Sequence, residues 1–101
     1  MSHTGPSIFV RGTGSYAPEK VLSNEDISKI VDTTDEWIVT RTGIRERRIA
    51  REDQATSDLA LEAARNALAD AELAAEDIEI ILVATCSPDM LFPSTATQVQ
   101  D

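Results

Sequence analysis

Trp37 and Arg41 stand four residues apart in the run Asp35-Glu36-Trp37-Ile38-Val39-Thr40-Arg41-Thr42-Gly43-Ile44-Arg45-Glu46-Arg47. If the run is helical, an indole and a guanidinium lie one turn apart on the same face. An indole offers a flat apolar surface on which a purine can stack, and a guanidinium can hold phosphate through paired hydrogen bonds. Together they suit an adenine ring attached to phosphates. Between Arg41 and Arg51 lie five of the nine basic residues and one acid, Glu46, so a chain of net charge −9 carries a local charge of +4. Composition alone leaves a second reading open, in which Trp37 is a core anchor and Arg41 a solvated charge.

The acidic total argues against general affinity for nucleic acid or anionic membrane, because those partners require broad positive fields. One cysteine, Cys86, permits no internal disulfide. No apolar run approaches the roughly 20 residues that span a bilayer. The opening Met1-Ser2-His3-Thr4-Gly5-Pro6-Ser7 lacks the charged and apolar regions of a signal peptide and reads as a disordered leader, which makes a cytoplasmic protein the expectation. The length of 101 residues bounds the chain to one small domain or part of one.

The elements that must position Trp37 and Arg41 follow from local signals. Ile8-Phe9-Val10 before Gly12-Thr13-Gly14 reads as a short buried strand entering a turn. Ser23 and Asp26 have capping-box spacing and predict a helix through about Val31. Thr33 and Glu36 repeat that spacing, and Gly43 falls where a left-handed stop is needed, so Asp35 to Thr42 is predicted to be a compact helix. Thr56 or Ser57 can cap a longer helix with a stripe of Leu59, Ala60, Ala63, Ala64, Ala67, Leu68 and Ala71, whose alanines allow close approach to a sheet. Ile78 to Ala84 has the continuous apolar pattern of a strand covered on both faces, Ile44 to Ala50 is a weaker third strand, and Pro93-Ser94 opens a last helix. Two or three strands make a thin sheet for so apolar a centre, and the last helix stops at Asp101 without a terminating signal; an N-terminal fragment of a longer protein is expected.

The order Gly12-Thr13-Gly14-Ser15-Tyr16, then Asp35 to Arg47, then Val83-Ala84-Thr85 and Phe92-Pro93-Ser94, resembles the start of the β-ketoacyl-acyl-carrier-protein synthase III family, over residues Ile8 to Asp101. The resemblance implies an α/β fold, a thiolase-like αβαβα sandwich, with residues 1–101 in the first half and the second half absent. It implies an acyltransferase that starts type II fatty acid synthesis: an acyl group passes from acyl-CoA to a cysteine and condenses with malonyl-acyl carrier protein as CO2 leaves. It implies a homodimer, with no metal or redox cofactor.

Residue by residue, the resemblance implies that Trp37 stacks on the adenine of coenzyme A and that Thr33 and Arg41 contact its nucleotide end. Phe92 is implied to reach across the dimer into the partner's acyl pocket, with ordinary core packing as the alternative. Cys86 follows the apolar strand, whereas the family's nucleophile lies past Asp101, so Cys86 is expected to be a small buried residue without a catalytic role. Roles for Arg45, Arg47, Arg48 and Arg51 stay open between ligand attraction and pairing with surface acids. Gly12 and Gly14 hint at a dinucleotide-binding turn, but Ala17 stands where the third glycine belongs. Other destinies for the chain are a noncatalytic module that binds coenzyme A or pairs with a subunit, and a relative working in polyketide or secondary metabolism.

Overall fold

The computed structural model describes residues 5–90 and 93–101. Strand β1 (Lys20–Ser23) leads directly into helix α1 (Asn24–Ser28), followed by α2 (Asp35–Thr42), strand β2 (Glu46–Ile49), the long helix α3 (Thr56–Ala71), a 3-10 turn at Ala75–Asp77 and helix α4 (Thr95–Gln100). β1 and β2 pair antiparallel, with Leu22 opposite Arg47 and Ser23 opposite Glu46. This hairpin-like ribbon encloses α1 and α2, which pack on each other, while α3 packs on α4.

Local capping chemistry sets most helix ends. Ser23 accepts from the Asp26 N–H at 3.1 Å and the Asp26 carboxylate accepts from the Ser23 N–H at 3.1 Å, the reciprocal bond expected there. The regular helix is shorter than its sequence suggests: α1 ends at Ser28, and single turns through Ile30 and Val31 bonded to Ile27 replace the remainder. Helix α2 has the expected bounds, with Gly43 in the left-handed region at φ 73° donating to the Val39 carbonyl. Its cap, however, is Thr34 instead of Thr33, and the Thr34 hydroxyl accepts from the Trp37 N–H at 3.1 Å. Likewise α3 is entered from Ala55, whose N–H donates to Asp58 at 2.8 Å, while Thr56 and Ser57 already lie inside it. Ser94 caps α4 as expected.

The alanine face of α3 receives the segment around Gly12 and Gly14. A methyl group at Gly14 would lie 2.3 Å from the Ala67 nitrogen, and one at Gly12 would lie 2.7 Å from the Ala71 nitrogen. The two glycines therefore let extended backbone lie against the helix backbone, with Asn66 donating to the Ser15 carbonyl at 2.9 Å and the Thr13 N–H donating to Asp70 at 3.0 Å. Close packing onto a helix flank, and not a phosphate turn, accounts for the Gly-Thr-Gly pattern.

Two expected strands are not formed among the described residues. Ile8-Phe9-Val10 and Ile78–Ala84 have no ladder partners, and most of their side chains are exposed, Ile8 at 95% and Leu82 at 91%. A strand exists only as a member of a ladder, and apolar periodicity cannot supply the neighbour. The weaker candidate, Ile44 to Ala50, does pair, as β2. With these segments uncovered, the radius of gyration is 18.1 Å, against about 13 Å for a compact domain of this size. Cys86, expected to be buried, is exposed for the same reason: it follows the uncovered Ile78–Ala84 segment.

Candidate functional site

Helix α2 carries the site. Its four-residue spacing brings the Arg41 guanidinium over the Trp37 ring, 5.1 Å from the centroid. A cation at that distance is drawn to the negative face of the indole, by about 0.5–1 kcal/mol at an exposed position. Trp37 is 54% exposed, and Ile38 is the residue of this helix that is buried. An apolar aromatic left half in water on the surface of a small helix is available to a ligand.

Beside the indole lies a hollow of about 440 Å³ lined by Ile27, Val31, Asp32, Thr33, Thr34, Trp37 and Ile38. That volume falls in the range of small-molecule sites. Thr33 and Trp37 thus share one wall system, and Arg41 covers the ring without lining the hollow. A second hollow of about 560 Å³, formed by Ser23, Asn24, Glu25, Ser28, Thr33, Thr34, Asp35 and Arg45, adjoins it through Thr33 and Thr34. Phe92, the fourth expected site residue, lies outside the described residues.

The arginine cluster divides by contact. Arg47 donates to the Asn24 side chain at 2.9 Å and to the Leu22 carbonyl at 3.3 Å, Arg48 donates to the Pro18 carbonyl at 2.9 Å, and Arg51 pairs with Asp53 at 2.9 Å. The hydrogen bond that Arg51 donates to Asp53, with the attraction of their charges, holds the Arg51 guanidinium above its ordinary pKa and the Asp53 carboxyl below its own. These three arginines serve the hairpin and the loop after it. Arg45 lines the second hollow and Arg41 covers the Trp37 ring, and neither has an ion pair among the described residues.

Asn24 is the residue that sequence reasoning passed over. It is 1% exposed and fully partnered: its amide donates to Asp35 at 2.8 Å and to the Ile44 carbonyl at 2.7 Å, and its carbonyl oxygen accepts from Arg47. In Ser-Asn-Glu-Asp it reads as one more polar residue of a helix start, and nothing local signals its long-range partners. Away from the site, Asp89 accepts from both the Ser57 N–H and the Ser57 hydroxyl, and these bonds hold its carboxyl below the usual range.

Comparison with known proteins adds the family. No family model matches the chain. The β-ketoacyl-[acyl-carrier-protein] synthase III of Caldanaerobacter subterraneus subsp. tengcongensis is 65% identical over 91 residues, which are 90% of this chain and 28% of that protein. The corresponding synthase of Bacillus pumilus is 61% identical over 90 residues, 89% of this chain and 29% of its own length. The sequence matches the N-terminal portion of β-ketoacyl-[acyl-carrier-protein] synthase III. The crystal structure of a synthase III from Aquifex aeolicus superposes with a TM-score of 0.81 at 54% identity, covering 88% of this chain and 29% of that one. A priming β-ketosynthase of the R1128 polyketide pathway superposes with a TM-score of 0.84 at 36% identity, over 90% of this chain and 27% of that one. The α/β, thiolase-like fold class read from the sequence agrees with these synthase III neighbours. The chain spans less than a third of the length of each relative. No helix among the described residues is long and apolar enough to cross a membrane.

Proposed function

We propose that this chain supplies the coenzyme A grip of an initiating condensing enzyme. The observation that carries the reading is the Trp37 indole, half exposed beside the 440 Å³ hollow with the Arg41 guanidinium over its ring. Adenine stacks on the indole within the hollow, and the phosphates lie toward Arg41. Asp32, which also lines the hollow, disfavours phosphate there and can accept from the adenine amino group or a ribose hydroxyl. Thr33, between the two hollows, contributes a hydroxyl to the same end of the ligand.

In the whole protein the reaction is acyl transfer followed by condensation. A cysteine thiolate attacks the acyl-CoA carbonyl and the coenzyme A thiolate leaves. Malonyl-acyl carrier protein then loses CO2, and the resulting carbanion equivalent attacks the enzyme thioester, expelling the cysteine. No residue of this chain is assigned the nucleophile, Cys86 included. The protein works as a homodimer in the cytoplasm without metal or redox cofactor, and Phe92 lines the acyl pocket of the partner. Support for the fatty acid reading over the polyketide one comes from sequence: identity is 54% to the Aquifex synthase III and 36% to the polyketide priming enzyme.

The test is calorimetric titration of the intact protein with coenzyme A and, separately, with 4′-phosphopantetheine, which lacks the adenosine part. Binding of coenzyme A alone is expected; equal binding of both removes the nucleotide from the site.

A further inference from the structure

We propose that Asn24 is a positioning residue for this site, setting the placement of α2 and hence of Trp37 and Arg41. The assignment rests on the reading of Trp37 and Arg41 as a nucleotide grip and extends it to a residue that does not touch the ligand's adenine hollow. Both amide hydrogens of Asn24 are spent on the two flanks of α2: one bond reaches Asp35, the first residue of the helix, and the other the Ile44 carbonyl, just past the Gly43 stop. The Asn24 N–H adds a bond to the Arg45 carbonyl at 3.1 Å. The carbonyl end of the same side chain is oriented by Arg47, which is anchored in turn on the Leu22 carbonyl of β1. One buried amide therefore fixes α2 at both ends relative to the β1–β2 ribbon. Beyond its packing on α1, this helix of eight residues buries one apolar side chain, Ile38.

An amide is required for this, because two donors and one acceptor must act at once. Aspartate would face the Asp35 carboxylate and the Ile44 carbonyl with acceptors only. Loss of the bond to the Ile44 carbonyl and of the bond from Arg47, which keeps only the Leu22 carbonyl, favours a rotation of α2, and a stacking site tolerates little displacement.

The experiment measures the dissociation constant of coenzyme A, by calorimetry on the intact protein, for Asn24→Ala, Asp35→Ala, Asp35→Asn and Trp37→Ala. Near-ultraviolet circular dichroism of the indole is recorded beside it, below the unfolding transition of each variant. Asn24→Ala and Asp35→Ala are expected to weaken binding roughly tenfold, the low end of the loss when a group that orients a binding side chain is removed at metal sites. Both should alter the indole spectrum. Asp35→Asn keeps an acceptor for the Asn24 amide and is expected to bind within twofold of the unsubstituted protein. Should Asn24→Ala fail to fold, the two Asp35 variants decide. Unchanged affinity in the alanine variants, with Trp37→Ala weakened in the same assay, overturns the positioning role and leaves the nucleotide grip standing. No binding of coenzyme A by the unsubstituted protein overturns the grip, and the role of Asn24 with it.

Discussion

Replacing Gly14 by alanine tests whether the extended segment before β1 lies on the backbone of α3. The added methyl would meet the Ala67 nitrogen at 2.3 Å, the Ala63 carbonyl oxygen at 2.6 Å and the Asn66 carbonyl carbon at 2.7 Å, all of them main-chain atoms that cannot rotate away. Relief requires the segment to withdraw by roughly 1 Å, and overpacking of that kind costs about 1–3 kcal/mol. Withdrawal also stretches the bonds from Asn66 to the Ser15 carbonyl, now 2.9 Å, and from the Thr13 N–H to Asp70, now 3.0 Å. At about 1 kcal/mol net for each, and with overpacking at the low end of its range, the total comes to about 3 kcal/mol. Urea unfolding followed by circular dichroism should show a midpoint lowered by about 1–3 M at the slopes usual for small domains. Gly43→Ala is the internal comparison: nothing lies within 4 Å of its methyl, but φ is 73°, so its cost is conformational and about 1–2 kcal/mol. A Gly14→Ala loss below about 0.5 kcal/mol, the range of ordinary surface substitutions, refutes the close approach.

Acid should destabilise the fold through three carboxylates. The bonds from Ser57 to Asp89 and from Ser23 to Asp26, and the pairing of Arg51 with Asp53, lower those pKa values in the folded state, so the stabilisation is present above the ordinary carboxylate pKa and is lost as pH falls below about 4. Ser57→Ala should therefore flatten the decline of the urea midpoint between about pH 4 and pH 2; an unchanged slope excludes Asp89 as a contributor. If the full-length protein has the proposed function, Phe92→Ala is expected to broaden acyl chain-length preference in a primer competition assay, and an unchanged profile overturns the acyl-pocket role proposed for Phe92.

Signals confined to a few neighbouring residues were legible in the sequence. The bounds of α2, the Gly43 stop, the Ser23–Asp26 box and the Ser94 cap each depend on side chains within a turn of the helix end, and the pairing of Trp37 with Arg41 follows from spacing alone. What depended on distant partners was not legible. Lys20–Ser23 is too short and polar to announce a strand, and it becomes one because β2 lies opposite. Ile8 to Val10 and Ile78 to Ala84 have the composition of strands and no ladder among the described residues, which also leaves Cys86 in solvent. Asn24 holds groups up to 23 residues away, and no periodicity marks such a residue. The fate of the arginines was open for the same reason, since Arg47 and Arg48 bond carbonyls far along the chain.

The most direct measurement of the central claim is the affinity of coenzyme A for the protein with and without the Trp37 indole. Stacking of adenine on that ring is worth about 1–3 kcal/mol, so Trp37→Ala should raise the dissociation constant by about 5- to 150-fold, and Trp37→Phe, which keeps an aromatic face, by less. Equal affinity in Trp37→Ala and the unsubstituted protein would contradict the account, since the half-exposed indole beneath Arg41 would then hold no part of the ligand.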